Sequence, residues 1–139
     1  MLVKGGFMKR ILIVDDDPNI RLLYKEVLCE GGFDVLEAET GQETFNILDK
    51  EAIDLIVLDI KLRFESGLDI LQKISTQSPE MPVILCSAYL SYQDDFKSWL
   101  ADSYLVKSTD PYELVREVNR ILALKANRQV QIDNLNASA

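Results

Sequence analysis

The sequence predicts an α/β fold: a parallel sheet of five strands with five helices distributed over both faces. Short unbroken aliphatic runs recur along the chain, at Ile11–Val14, Leu55–Leu58 and Val83–Cys86, as expected for strands buried on both faces. Segments with apolar residues at helical spacing separate these runs, and such alternation gives parallel strands joined by right-handed crossovers. Two of the runs end in aspartate, at Asp15-Asp16-Asp17 and at Asp59. The carboxyl edge of a parallel sheet is where ligands bind in folds of this class.

Taken in order, the first strand leads into Asp17-Pro18, an N-cap residue followed by a proline at the first helical position. The helix from Pro18 to Glu30 is predicted to bury Ile20, Leu23, Val27 and Leu28, with Leu22 and Tyr24 beside them, and Gly31-Gly32 stops it. Phe33–Ala38 reads as a more peripheral strand, and Gln42–Lys50 as a helix bearing Phe45, Ile47 and Leu48. The strand Ile53–Asp59 follows, then a loop from Lys61 to Ser66 and a helix from Gly67 to Thr76. Pro79 and Pro82 bracket a turn before the fourth strand. Tyr89–Leu100 is predicted as a short, less regular helix, and Ser103–Val106 as the fifth strand, closed by Lys107. Asp110-Pro111-Tyr112-Glu113 repeats the Asp-Pro start with capping-box spacing, and its helix is expected to end near Leu124. Residues 1–7 read as an N-terminal extension, because Met8 could equally be a start. Residues 125–139 read as a helical fraying end or a linker, and a full-length single domain cannot be told from a truncated chain.

Composition narrows the chemistry. At 139 residues the chain can bury one core without staples. A net charge of −8 without a basic run argues against direct contact with nucleic acid. No histidine is present, and the two cysteines, Cys29 and Cys86, lie far apart, which disfavours zinc and histidine-dependent catalysis. Both cysteines are expected to be reduced core residues of a cytoplasmic protein. No apolar run reaches the ~20 residues of a membrane span.

Collecting the residues just beyond each strand gives Asp15 and Asp16, Asp59, Ser87 and Lys107. Carboxylates crowded on one rim repel each other unless a hard cation sits among them. Singly, each has a bland reading: a turn aspartate, a solvated lysine, an uninformative serine, and in Tyr104 a filler aromatic. Their joint arrival at consecutive strand ends overturns those readings. The set, with the motifs I-L-I-V-D-D-D-P-N-I-R, L-I-V-L-D-I-K-L, S-G-L-D-I-L, V-I-L-C-S-A and Y-L-V-K, resembles the receiver domain of bacterial response regulators over residues 8–124. The resemblance implies a flavodoxin-like sheet of order 2-1-3-4-5, placing Asp15, Asp16 and Asp59 together. It implies that Asp59 accepts a phosphoryl group, with Mg²⁺ held by Asp16, Asp59 and the Lys61 backbone carbonyl, and by Asp15 directly or through water. Ser87 and Lys107 would bind phosphoryl oxygens, and Ser87 and Tyr104 would form the switch. The implied partners are a sensor histidine kinase or phosphotransfer protein, and a downstream protein engaging the 90–124 face. Whether phosphorylation drives a homodimer stays open. Such a domain catalyses only its own phosphorylation and dephosphorylation.

The sequence departs from the family pattern at Ser108 and Arg63, where prolines are usual. A trans Lys107–Ser108 peptide, a more mobile loop after Asp59, and an Arg63 reaching acidic neighbours are therefore expected. Lys61 and Tyr89, two residues beyond Asp59 and Ser87, would shield an acyl phosphate from water. Three rival readings compete: a degenerate receiver that docks without phosphate, a haloacid-dehalogenase-type phosphatase using Asp15-x-Asp17, and a flavodoxin. Pro18-Asn19 after the aspartates opposes the second, and the lack of a Ser/Thr/Gly-rich phosphate loop after the first strand opposes the third.

Overall fold

The computed structural model describes residues 8–88, 95–107 and 109–138. Strands β1 (Arg10–Val14), β2 (Asp34–Ala38), β3 (Leu55–Leu58), β4 (Val83–Ser87) and β5 (Ser103–Val106) form one parallel sheet of order β2-β1-β3-β4-β5. Helices α1 (Pro18–Glu30), α2 (Gly41–Lys50), α3 (Gly67–Gln77) and α4 (Tyr112–Ala137) connect and flank it.

Alternation along the strands sorts the core into two layers. Leu12, Val14, Ile56, Leu58 and Leu85 face Leu68, Ile70, Leu71 and Ile74 on one side. Ile11, Ile13, Leu55, Val57 and Ile84 face Tyr24, Leu28, Leu114, Val118 and Ile121 on the other. The continuous aliphatic runs are thus period-two patterns for two buried faces at once.

Helix α1 starts as its sequence requires, with Pro18 in the first turn and the Asp17 carboxylate accepting from Asn19 N at 2.9 Å. Its buried stripe runs through Tyr24, Val27 and Leu28, with Ile20 partly buried against the same layer. Leu23, expected inside, is 38% exposed, because Tyr24 takes the inward position at that turn. Cys29 is exposed on the last turn, correcting its expected burial, whereas Cys86 is buried on β4. Burial pushes the Cys86 thiol up to about 11, and it lies 3.4 Å from the Tyr24 hydroxyl.

Two expectations about helices need correction. Of the predicted Tyr89–Leu100 helix, residues 89–94 lie outside the described residues, and the remainder is a 3-10 turn, Phe96–Leu100, capped by Asp95. Four α-helices rather than five are therefore seen among the described residues. The last helix does not stop at Leu124 but continues to Ala137, so the polar segment takes the helical alternative. Residues 125–137 contain neither glycine nor proline and are rich in Ala, Lys, Arg and Gln, so local propensity carries the helix past the core.

Gly67 opens α3 with no room for a side chain. A Cβ there would meet the Asp59 carbonyl oxygen at 1.9 Å, and the Gly67 N–H donates to the Ile60 carbonyl at 2.6 Å. This close approach seats α3 directly against the backbone that carries Asp59. Gly67→Ala must displace one or the other and is expected to cost about 1–3 kcal/mol. Urea unfolding checks this, and unchanged stability would contradict the contact.

Candidate functional site

Register delivers the acidic residues to one point. Val14 pairs with Leu58, so Asp15 and Asp59, each the next residue, emerge side by side. The Asp59 N–H donates to the Val14 carbonyl at 2.9 Å and the Asp15 N–H to the Ala38 carbonyl at 3.1 Å, extending the ladders past both strand ends. Asp15 and Asp59 are buried and Asp16 is half-buried, and ligand oxygens of all three lie within 4.8 Å of one another.

One cation enters this pocket. Lys107 Nζ lies 2.8 Å from Asp15 Oδ2 and 3.4 Å from Asp59 Oδ2. It is aimed from β5, whose end is fixed by the Lys107 N–H donating to the Ser87 carbonyl at 2.7 Å. Burial alone would lower the lysine's pKa, but the Asp15 hydrogen bond and the Asp59 and Asp15 charges together raise it. Asp59 moves the other way from a usual carboxylate: burial first, then the Asp15 charge, push it up from 3.8 to about 6, against Lys107 and the Lys61 backbone N–H. One ammonium between carboxylates does not neutralise the pocket.

Ser87 is buried at the end of β4. Tyr104 pairs in register with Leu85, two residues before Ser87, and packs half-buried on the same face of the sheet. Beyond Asp16 the pocket opens into a cleft of about 270 Å³ lined by Asp16, Glu39, Thr40, Leu62, Arg63, Phe64 and Glu65. Asp17 is exposed and caps α1, which removes it from any D-x-D pair with Asp15.

The remaining expectations are met unevenly. Lys61 is exposed at the start of a loop closed by its bridge to Ser66. Glu65 Oε2 accepts from Gly41 N at 3.0 Å, so this loop is tied to α2. Arg63 forms no ion pair with any described residue, contrary to expectation. Tyr89 and the Lys107–Ser108 peptide lie outside the described residues. Two residues were missed from sequence. Gly67 stood only as a helix start, and Arg21, inside the quoted motif, was given no role. Arg21 sits one turn after the Asp17 cap, and that spacing was the available signal. Its guanidinium reaches back to the Asp15 carbonyl at 2.7 Å.

The folded chain holds the Asp59 proton more tightly than the unfolded chain. The stabilisation from that proton is complete below about pH 4 and is lost as pH rises through about 6. At pH 7–8 Asp59→Asn is therefore expected to raise the stability of the metal-free protein, with the gain shrinking as pH falls through 6. Its size should be about 1–2 kcal/mol, since a shift worth ~1.4 kcal/mol per pH unit is partly screened by solvent. Thermal melts across pH test this, and a gain independent of pH would contradict it.

Comparisons with known proteins agree with this geometry. A family model described as "Response regulator receiver domain" matches residues 11–119. Transcriptional regulatory protein CpxR of Escherichia coli is 35% identical over 133 residues, covering 94% of this chain and 56% of the relative. The chain thus spans about half the length of the curated relatives it matches. Among solved structures, response regulator protein TrrA from Thermotoga maritima, in complex with Mg²⁺-BeF, is 41% identical with a TM-score of 0.77. That match covers 83% of this chain and 99% of TrrA. A CheY-like receiver domain protein from Methanospirillum hungatei is 32% identical with a TM-score of 0.81, covering 87% of this chain and 98% of its own. Among the described residues no helix is long and apolar enough to cross a membrane. With the sheet order, the strand-end carboxylates and the match over residues 11–119 in agreement, the chain belongs to the response regulator receiver domain family.

Proposed function

We propose that the chain accepts a phosphoryl group on Asp59 from a sensor histidine kinase or phosphotransfer protein and signals through a surface change. The observation that carries this reading is the buried Asp15–Asp16–Asp59 cluster, all within 4.8 Å, bridged by Lys107 alone among the described cations. Three oxygen donors at that separation fit Mg²⁺, which prefers carboxylates, carbonyls and water. Asp16, Asp59 and the Lys61 carbonyl would hold it, with Asp15 directly or through water. When bound, the ion neutralises charge on the carboxylates and on the phosphoryl oxygens.

Asp59 is the nucleophile. Its carboxylate oxygen forms a bond to phosphorus while the donor's phosphorus–nitrogen bond breaks, the electron pair leaving with the imidazole. A pKa of about 6 keeps Asp59 ionised at neutral pH yet more basic than an ordinary carboxylate. Lys107 leaves its place between Asp15 and Asp59 to pair with a phosphoryl oxygen. Ser87 donates its hydroxyl to another, and Tyr104, on the same sheet face, follows that movement. The chain catalyses only its own phosphorylation and dephosphorylation.

TrrA has been solved in complex with histidine kinase ThkA and is 43% identical to this chain in that structure, with a TM-score of 0.77, which supports a kinase as donor. The 90–124 face would meet the downstream protein, and exposed Trp99, Leu100 and Tyr112 give its described part apolar anchors. Residues 8–124 would form the receiver unit of a cytoplasmic protein. Incubation with Mg²⁺ and acetyl phosphate should add one phosphoryl group by intact mass, and the gain should vanish in Asp59→Asn and with EDTA. No gain in the unaltered chain would contradict the proposal and favour a docking module that works without phosphate.

A further inference from the structure

Arg21 lies beside the acidic pocket but does not enter it. Its side chain is 12% exposed and its three kinds of N–H group each take a different acceptor. Nη1 donates to the Asp15 carbonyl at 2.7 Å, Nε to Glu37 at 3.2 Å and Nη2 to Glu39 at 3.1 Å. Glu37 is on β2 and Glu39 just beyond it, so one guanidinium ties α1, the end of β1 and the end of β2.

We infer that Arg21 is a positioning residue that sets the affinity of the pocket for a divalent cation by holding the Asp15 carbonyl, an assignment that rests on the Mg²⁺-dependent reading above. Every polar atom of Asp15 is occupied. Its N–H goes to the Ala38 carbonyl at 3.1 Å, Oδ1 accepts from the Asp17 N–H at 2.9 Å, and Oδ2 accepts from Lys107 at 2.8 Å. The carbonyl is the fourth, and Arg21 is its partner. A peptide unit is planar, so the Asp15 carbonyl and the Asp16 nitrogen move together. Fixing that carbonyl fixes the direction in which Asp16 leaves the strand, and with it the separation of the ligand oxygens. Released, the Asp15–Asp16 peptide can turn to relieve repulsion between the carboxylates. The fork geometry matters as well as the charge, because an ammonium cannot reproduce three diverging, directed hydrogen bonds.

Charge alone predicts the opposite sign. Removing a cation next to an acidic pocket makes the local potential more negative and should tighten Mg²⁺ binding. Positioning predicts weaker binding, so the direction of the change separates the two accounts. Arg10 supplies a control. It makes a comparable network at the other end of the sheet, 3.1 Å from Asp34 and 2.7 Å from Glu51.

Mg²⁺ would be titrated calorimetrically into the full chain and into Arg21→Met, Arg21→Lys and Arg10→Met, with metal-free thermal melts of each. Arg21→Met is expected to bind about 10-fold more weakly, at the lower end of the effect of removing groups that orient metal ligands. Arg21→Lys should be weaker than the unaltered chain, while Arg10→Met loses stability and keeps its affinity. Unchanged or tighter binding in Arg21→Met would overturn the inference, and so would an equal loss in Arg10→Met. If Arg21→Met does not fold, Arg21→Lys decides: weaker binding supports the brace and unaltered affinity refutes it. Absence of Mg²⁺ binding in the unaltered chain would remove the proposed function and the brace together. Binding there with none of the expected loss in the Arg21 variants would remove the brace alone.

Discussion

Like charge gathered where the fold leaves least room for it is the constraint on which the rest of the structure turns. Asp15 and Asp59 are buried at adjacent strand ends because Val14 and Leu58 are register partners, and Asp16 follows at once. Neither carboxylate can retreat, since both strands are locked between apolar layers and both backbones continue the sheet's hydrogen bonds beyond the last strand residue. Lys107 offsets part of the repulsion and its own burial with it, yet Asp59 still holds its proton to about pH 6. The site is therefore a place of stored electrostatic tension within an otherwise locally consistent fold, as expected where function is located.

The surroundings keep that tension from dissipating. Gly67 brings α3 against the Asp59 carbonyl at a distance no side chain would allow, and the Glu65–Gly41 contact ties the intervening loop to α2. Asp17 caps α1 while its N–H holds the Asp15 carboxylate, so a single turn serves the helix start and the pocket. The opposite end of the sheet has its own cluster of Arg10, Asp34 and Glu51, half-exposed and remote from the carboxylates. Charges of the same type do structural work there, where nothing forces them together.

Much of this was legible in the chain before folding was considered. Unbroken aliphatic runs located β1, β3 and β4, and the residues just after them were the ones the fold brought together: Asp15, Asp16, Asp59 and Ser87, with Lys107 arriving from β5. What sequence periodicity could not resolve were competitions between neighbours of equal character. Leu23 and Tyr24 both suit an apolar face, and only packing against the sheet chose Tyr24. Cys29 at a helix end reads as a core residue until the helix is rotated into place. The extension of α4 to Ala137 followed local propensity after the apolar pattern that marked Leu124 as an end had run out. Gly67 and Arg21 matter through contacts with backbone carbonyls, which carry no side-chain signature in sequence.

The most direct test is the ionisation of Asp59 itself, followed by the carboxyl carbon resonance of Asp59 against pH in the metal-free protein and again with Mg²⁺. A midpoint near 6 without metal, moved to lower pH by Mg²⁺, is the predicted result. A midpoint at the ordinary 3.8 that Mg²⁺ leaves unmoved would contradict it, because the pocket would then be neither crowded nor in need of a cation.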